Sequence, residues 1–99
     1  MPKEQVETRN RTEIIFPSRY NVILLNDDYT PMDFVIQLLV ETFNRSLQEA
    51  KGITMKIHEE GQGIAGTYSL EIAEQKCQES MIISRHQGHP LKIVVEKLQ

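Results

Sequence analysis

The chain is poor in most features that would assign it a chemistry by composition. One cysteine, Cys77, stands in 99 residues, so no internal disulfide can form and no second thiol exists to help hold zinc. Its plainest use is as a small buried apolar side chain. Basic residues (11) are fewer than acidic ones (14), leaving a net charge of −3. The basic footprint that phosphate neutralisation requires is missing, which excludes DNA and RNA as partners. Apolar runs are only a few residues long, far below the ~20 of a membrane span. The opening MPKEQVETRNRTE has no apolar segment of the secretory kind, so cytoplasm is the default compartment. No internal repeat or low-complexity stretch occurs.

What is present is ordinary for a globular domain: 39% apolar and 25% charged residues, enough for one small core. Residues 1–17, rich in Glu, Arg, Lys and Thr, read as a flexible N-terminal extension, and 18–99 as the folded domain. Tyr20–Leu25 reads as a strand that Asn26 and Asp27 end. Thr30-Pro31 predicts a helix start, with Thr30 as N-cap, Pro31 at the first helical position and Asp33 near the positive end. That helix is expected to run to about Asn44, with an apolar stripe too wide for one face. Ser46 and Glu49 have capping-box spacing and predict a second helix to about His58. Gly61 and Gly63 interrupt it, and Gly63–Tyr68 reads as a second strand. Ser69 is the expected cap of a third helix through about His86, which Gly88-His89-Pro90 ends. Leu91–Lys97 alternates as a third strand with Leu91, Ile93 and Val95 on one side. The expected fold is α+β: a small three-stranded antiparallel sheet with three helices packed on one face, in the order β-α-α-β-α-β. The strand order is left open.

Two patterns invite chemistry that their setting does not support. Gly61, Gly63 and Gly66 spell GxGxxG, but a helix precedes them and a strand follows, the reverse of a dinucleotide loop. Helix ending and close strand packing account for them. Asp27 and Asp28 could be an acid and base pair, yet neighbours in extended chain point to opposite sides. A hydrolase or metal-dependent enzyme using Asp27, Asp28 and His58 remains the rival class, and no His/Cys cluster or acidic loop pattern lies near them in sequence. His86 suits the helix dipole in its last turn, and His89 before a proline reads as a loop residue. His58 lies four residues after Thr54 and next to Ile57, beside a mixed apolar and hydroxyl surface.

Four segments, in order, resemble the ClpS family, adaptors that deliver proteins with destabilising N-terminal residues (N-degrons) to a Clp protease. They are YNVILLNDDYTPMDFV (20–35), Ile57-His58 before the glycine turn, GTYSLEIAEQK (66–76) and His89-Pro90-Leu91. The resemblance spans Pro17 to about Lys97. It implies a noncatalytic adaptor with no cofactor and no metal, whose partners are N-degron substrates and the N-terminal domain of a ClpA-type AAA+ unfoldase. By position, Asn26, Asp27 and His58 would hold the substrate's α-amino group. Thr30, Met32, Val35, Thr54, Ile57 and Leu91 would line a pocket for a first Leu, Phe, Tyr or Trp, with Met32 as its gate. Glu71 and Lys76 would dock the unfoldase, although as bare residues they read as a helix-dipole partner and a solvated charge. The tail through about Arg19 would match the family's N-terminal extension. A Clp-ATPase-binding regulator without N-degron selectivity is the alternative within the family. Thr54 departs from the pattern, where a larger apolar residue is usual, so the wall there is either wider and more polar or has its hydroxyl turned to a backbone carbonyl. The chemistry fits independently: an α-amino group with a pKa of about 7.7–8.0 is mostly cationic at neutral pH and offers three donors, which a carboxylate, an amide oxygen and an imidazole nitrogen can accept.

Overall fold

In the computed structural model, which describes residues 17–98, the elements are β1 (Tyr20–Leu25), α1 (Met32–Glu41), α2 (Leu47–Glu60), β2 (Gln62–Tyr68), α3 (Leu70–His86) and β3 (Lys92–Lys97). The expected tail falls almost wholly outside the described residues. The strands form one antiparallel sheet in the order β2-β1-β3. Among the described residues the first strand is therefore the central one, with β2 and β3 on either side of it. Alternation along β1 divides its side chains. Val22 and Leu24 enter the core beneath the helices, and Ile23 on the opposite face lies between Ile64 and Val94 in register.

The β1–β2 register slips between Val22 and Ile23, leaving Ala65 as an extra residue. This bulge buries Ala65 and Gly66 in succession, where strict alternation would expose one of them. Arg45, between the first two helices, donates from Nε to the Ala65 carbonyl at 2.8 Å and so satisfies the bulge.

The core joins Val22, Leu24 and Ile93 of the sheet to Phe34, Leu38, Leu39 and Phe43 from the α1 side and Ala50 and Ile57 from α2. The third helix turns small residues inward: Ala73, Ser80 and Ser84 are buried. They let its backbone approach the sheet, and the two hydroxyls avoid a desolvation cost by donating to carbonyls of their own helix. Cys77, half-buried beside them, has its thiol directed at the Ile93 carbonyl at 3.5 Å. Burial pushes that thiol's pKa up, and Glu74 adds to the shift. A raised pKa disfavours the reactive thiolate.

Three local expectations differ from the structure. The N-cap of α1 is Pro31, extended at ψ 143° and with no side-chain cap bond, so the helix begins one residue later than expected and leaves Thr30 ahead of the cap position, where its hydroxyl donates to Asp27 Oδ2 at 2.8 Å. The same helix stops at Glu41, three residues early: Asn44 adopts a left-handed φ of 57°, a conformation asparagine tolerates, and the Arg45 N–H bonds back to Leu39 at 3.0 Å. Ser69 is the N-cap of α3 but its hydroxyl makes no cap bond. By contrast, Ser46 and Glu49 form both halves of the capping box.

Candidate functional site

Asn26 and Asp27 leave the central strand at the end of β1. The Asn26 N–H donates to the Gly61 carbonyl at 2.9 Å, joining the β1–α1 junction to the turn that ends α2. Gly61 makes that turn possible with its left-handed φ of 94°. His58 stands in the last turn of α2, so one backbone hydrogen bond brings together residues 32 apart in sequence. Gly63 sets the depth of α2 over the sheet. A Cβ there would lie 2.8 Å from Cγ1 of Ile57 and 3.3 Å from the Ile53 carbonyl oxygen. This close approach, and the Tyr68 ring placed 2.6–2.7 Å from a Cβ at Gly66, explain two of the three glycines that imitate a nucleotide loop.

Asp27 organises its own loop. Oδ1 accepts the N–H groups of Tyr29 and Thr30 at 2.8 Å each, and Oδ2 accepts the Thr30 hydroxyl at 2.8 Å. Burial pushes its pKa upward, but the Thr30 hydroxyl, the two N–H groups and the nearby His89 outweigh it and hold the carboxyl below its ordinary range. Most of its acceptor sites are thus occupied, and its negative charge persists. The neighbouring Asp28 is exposed and Tyr29 is 80% exposed. Among the described residues the side chains of Asn26 and His58, both exposed, have no intramolecular hydrogen bond.

All nine residues expected at the N-degron site border one hollow, with Leu25 as a tenth. Asn26, Asp27 and Thr30 come from the loop, Met32 and Val35 from α1, Thr54, Ile57 and His58 from α2, and Leu91 from the turn before β3. The envelope is about 270 Å³ including its mouth, but only about 20 Å³ lies clear, room for a single water. Val35, Thr54, Ile57 and Leu91 are buried walls, whereas Met32 is 40% exposed at the edge. Thr54 donates its hydroxyl to the Ala50 carbonyl at 2.8 Å, so its donor is used within the helix and the wall gains no free polar hydrogen. Leu25 escaped sequence reasoning because strand alternation assigns it to the helix-free face. His89 is a loop residue as expected, but its ring also packs on Phe34, 4.5 Å between centroids at 57°. Its only sequence signal is the His-Pro step ahead of the strand.

A larger groove of about 730 Å³ runs along α3 beside Val95, but it is apolar and open, and none of the clustered polar groups above reaches it. Among the described residues no three or more His, Cys, Asp or Glu side chains are grouped to hold a metal ion. No helix among them is long and apolar enough to cross a membrane. Of the two positions expected to dock an unfoldase, Glu71 is exposed in the first turn of α3. Lys76 is not a freely solvated charge: its Nζ donates to the Thr42 carbonyl at 2.8 Å. It supplies the cation that the C-terminal turn of α1 lacks in its own sequence.

Comparison with known proteins decides the family. Residues 16–94 match the model of the ATP-dependent Clp protease adaptor protein ClpS. The chain belongs to the ClpS family. A ClpS adapter protein of Shewanella loihica is 48% identical over 95% of this chain and 92% of its own length. That of Deinococcus radiodurans is 44% identical over 93% and 81%, and that of Nautilia profundicola 43% over 99% and 100%. The structure of Agrobacterium tumefaciens ClpS2 bound to L-phenylalaninamide superposes with a TM-score of 0.80 at 34% identity, covering 84% of this chain and all of that one. The ClpS fold is thus shared, and the protein is an adaptor of the ATP-dependent Clp protease.

Proposed function

We propose that this adaptor reads the first residue of its substrates at the hollow between α1 and α2, without catalysing a reaction. The observation that carries this is the arrangement of one apolar throat beneath three acceptor groups with an anionic charge among them. Its complement is a cation with an apolar side chain one carbon away, which is the start of a polypeptide. L-phenylalaninamide, the ligand of the similar Agrobacterium protein, has that form: a free α-amino group and a benzyl side chain.

In this reading the Asn26 amide oxygen and an imidazole nitrogen of His58, both without side-chain partners among the described residues, accept from the ammonium group. Asp27 supplies negative charge and its remaining lone pair. Entry of a Leu, Phe, Tyr or Trp side chain requires the narrow throat to widen. Met32, unbranched and half out in solvent, is the wall best able to move. A first residue branched at Cβ meets Met32 before the throat opens, so Ile and Val are excluded. Burial of the first side chain contributes about 1.5–3 kcal/mol, and each charge-assisted hydrogen bond about 1.5–3 kcal/mol. After the entropy of association is subtracted, affinity is on the order of micromolar or somewhat tighter. The surface around Glu71 and Lys76 then docks a ClpA-type unfoldase, which takes over the substrate.

The deciding experiment titrates two fluorescent peptides that begin with Phe and differ only in N-terminal acetylation. Acetylation removes the charge and leaves the acceptors unpaired. Strong binding of the free form alone is the expected result; equal binding of both refutes recognition of the amine. Retained unfoldase binding with no peptide selectivity identifies a regulator instead, and chelator-sensitive turnover identifies a metalloenzyme.

A further inference from the structure

We propose that Arg85, outside the hollow, is the positioning residue that fixes one of its walls. The inference rests on the reading above that the hollow receives a first side chain. Helix α3 ends at His86, and Gly88 reverses the chain with a φ of 79°. The following segment, His89-Pro90-Leu91, has little to hold it. Pro90 has no N–H, and pairing with β1 begins only at Lys92, opposite Leu25. One guanidinium nitrogen closes this gap. Arg85 Nη1 donates to the His89 carbonyl at 3.0 Å and to the Leu91 carbonyl at 2.8 Å, while the His89 N–H donates to Ser84 at 2.8 Å.

Of the two clamped residues Leu91 lines the hollow, and His89 lies outside it against the helix that carries Met32 and Val35. Leu91, 1% exposed, is a wall of the hollow, and the His89 ring packs on Phe34 in the first turns of α1, close enough to Asp27 to favour its charge. A throat with room for one water leaves little tolerance for a displaced wall. Arg85 therefore acts through Leu91 and His89, touching no substrate. Because Arg85 also borders the groove along α3, the clamp is accessible from a surface other than the mouth of the hollow.

The test compares the parent with Arg85→Gln and Arg85→Lys, using peptides with a free N-terminal Phe or Leu. Circular dichroism sets a temperature at which every variant is fully folded. Hydrogen exchange is followed across residues 88–92. In Arg85→Gln the segment exchanges faster and affinity falls about ten-fold, the scale of one lost charge-assisted hydrogen bond. Arg85→Lys, whose ammonium can still donate to a carbonyl, recovers part of both. In a Leu91→Val background, held to the same circular-dichroism criterion of full folding, Arg85→Gln weakens binding much less, because the wall it positions is already altered. Parent-like affinity and exchange in Arg85→Gln overturn the proposal. So does a full loss that persists unchanged in Leu91→Val. A parent that binds neither free-amine peptide fails at the functional reading itself, a result separable from a parent that binds and an Arg85→Gln variant that matches it.

Discussion

Asp27 has two duties that one substitution can separate. Its oxygens accept three hydrogen bonds from the loop, each 2.8 Å, and its charge lies at the mouth of the hollow. Asp27→Asn retains Oδ1 for the Tyr29 and Thr30 N–H groups, and its amide can donate to the Thr30 hydroxyl oxygen. The turn persists, at a stability cost under about 1 kcal/mol. Asp27→Ala removes all three acceptors; because the site is only half-buried, water replaces part of the loss and the cost is about 1–2 kcal/mol. Binding responds differently. Two unit charges about 4 Å apart attract by about 4 kcal/mol at an effective dielectric of about 20, and solvent at the mouth lowers the usable part to about 1.5–3 kcal/mol. That is about 10- to 150-fold in affinity. Urea unfolding and anisotropy titration with a free-amine Phe peptide, run on the parent and both variants, measure the two duties separately. The expected pattern is near-parent stability with a large affinity loss in Asp27→Asn. If that variant binds like the parent, the carboxylate's charge has no part in recognition. If it is as unstable as Asp27→Ala, the account of the turn is wrong.

Met32→Ala should admit peptides beginning with Ile or Val; an unchanged preference across a series of first residues removes Met32 as the gate. Gly63→Ala places a methyl 2.8 Å from Ile57 Cγ1 and should destabilise the fold by about 1–3 kcal/mol. It should also weaken peptide binding through Ile57 and His58, and parent-like chemical unfolding would show that α2 yields freely. Acid should destabilise the domain through Asp27 and Glu49, whose folded pKa values lie below their ordinary 3.8 and 4.5. Hydrogen bonds from the Ser46 backbone and hydroxyl lower that of Glu49. Groups with depressed folded values stabilise fully above their unfolded values, and that stabilisation is lost as pH falls through the folded ones. Urea midpoints should therefore drop between about pH 5 and 3, less so in Asp27→Asn; an identical slope in parent and variant contradicts the assignment.

The extent to which the site could be read in advance depended on how local its cause was. The capping box at Ser46 and the stop at Gly61 involve contacts within four residues, and both took the expected form. The Thr30 cap did not, because Pro31 stays extended and becomes the cap residue itself, which leaves Thr30 one position too early, and its hydroxyl donates to the Asp27 carboxylate in the same loop. Thr54 left two readings open; the buried position selected the bond to Ala50, since a hydroxyl without a partner is costly there. Lys76 is a surface charge by its neighbours in sequence, and only the packing of α3 beside α1 brings it to the Thr42 carbonyl.

By itself the sequence determined the order and type of the elements, the placement of the turn glycines, the anionic strand end and, through four matching segments, the family. These are matters of residue type and of spacing within a turn or two. Tertiary structure alone decided that β1 is the central strand, that the Asn26 N–H meets Gly61 to bring the loop to His58, and that the hollow walled by α1, α2 and Leu91 is narrow. Each of those depends on contacts between segments distant in the chain, whose geometry follows from how α2, α3 and the sheet pack together and leaves no periodic trace in any one of them.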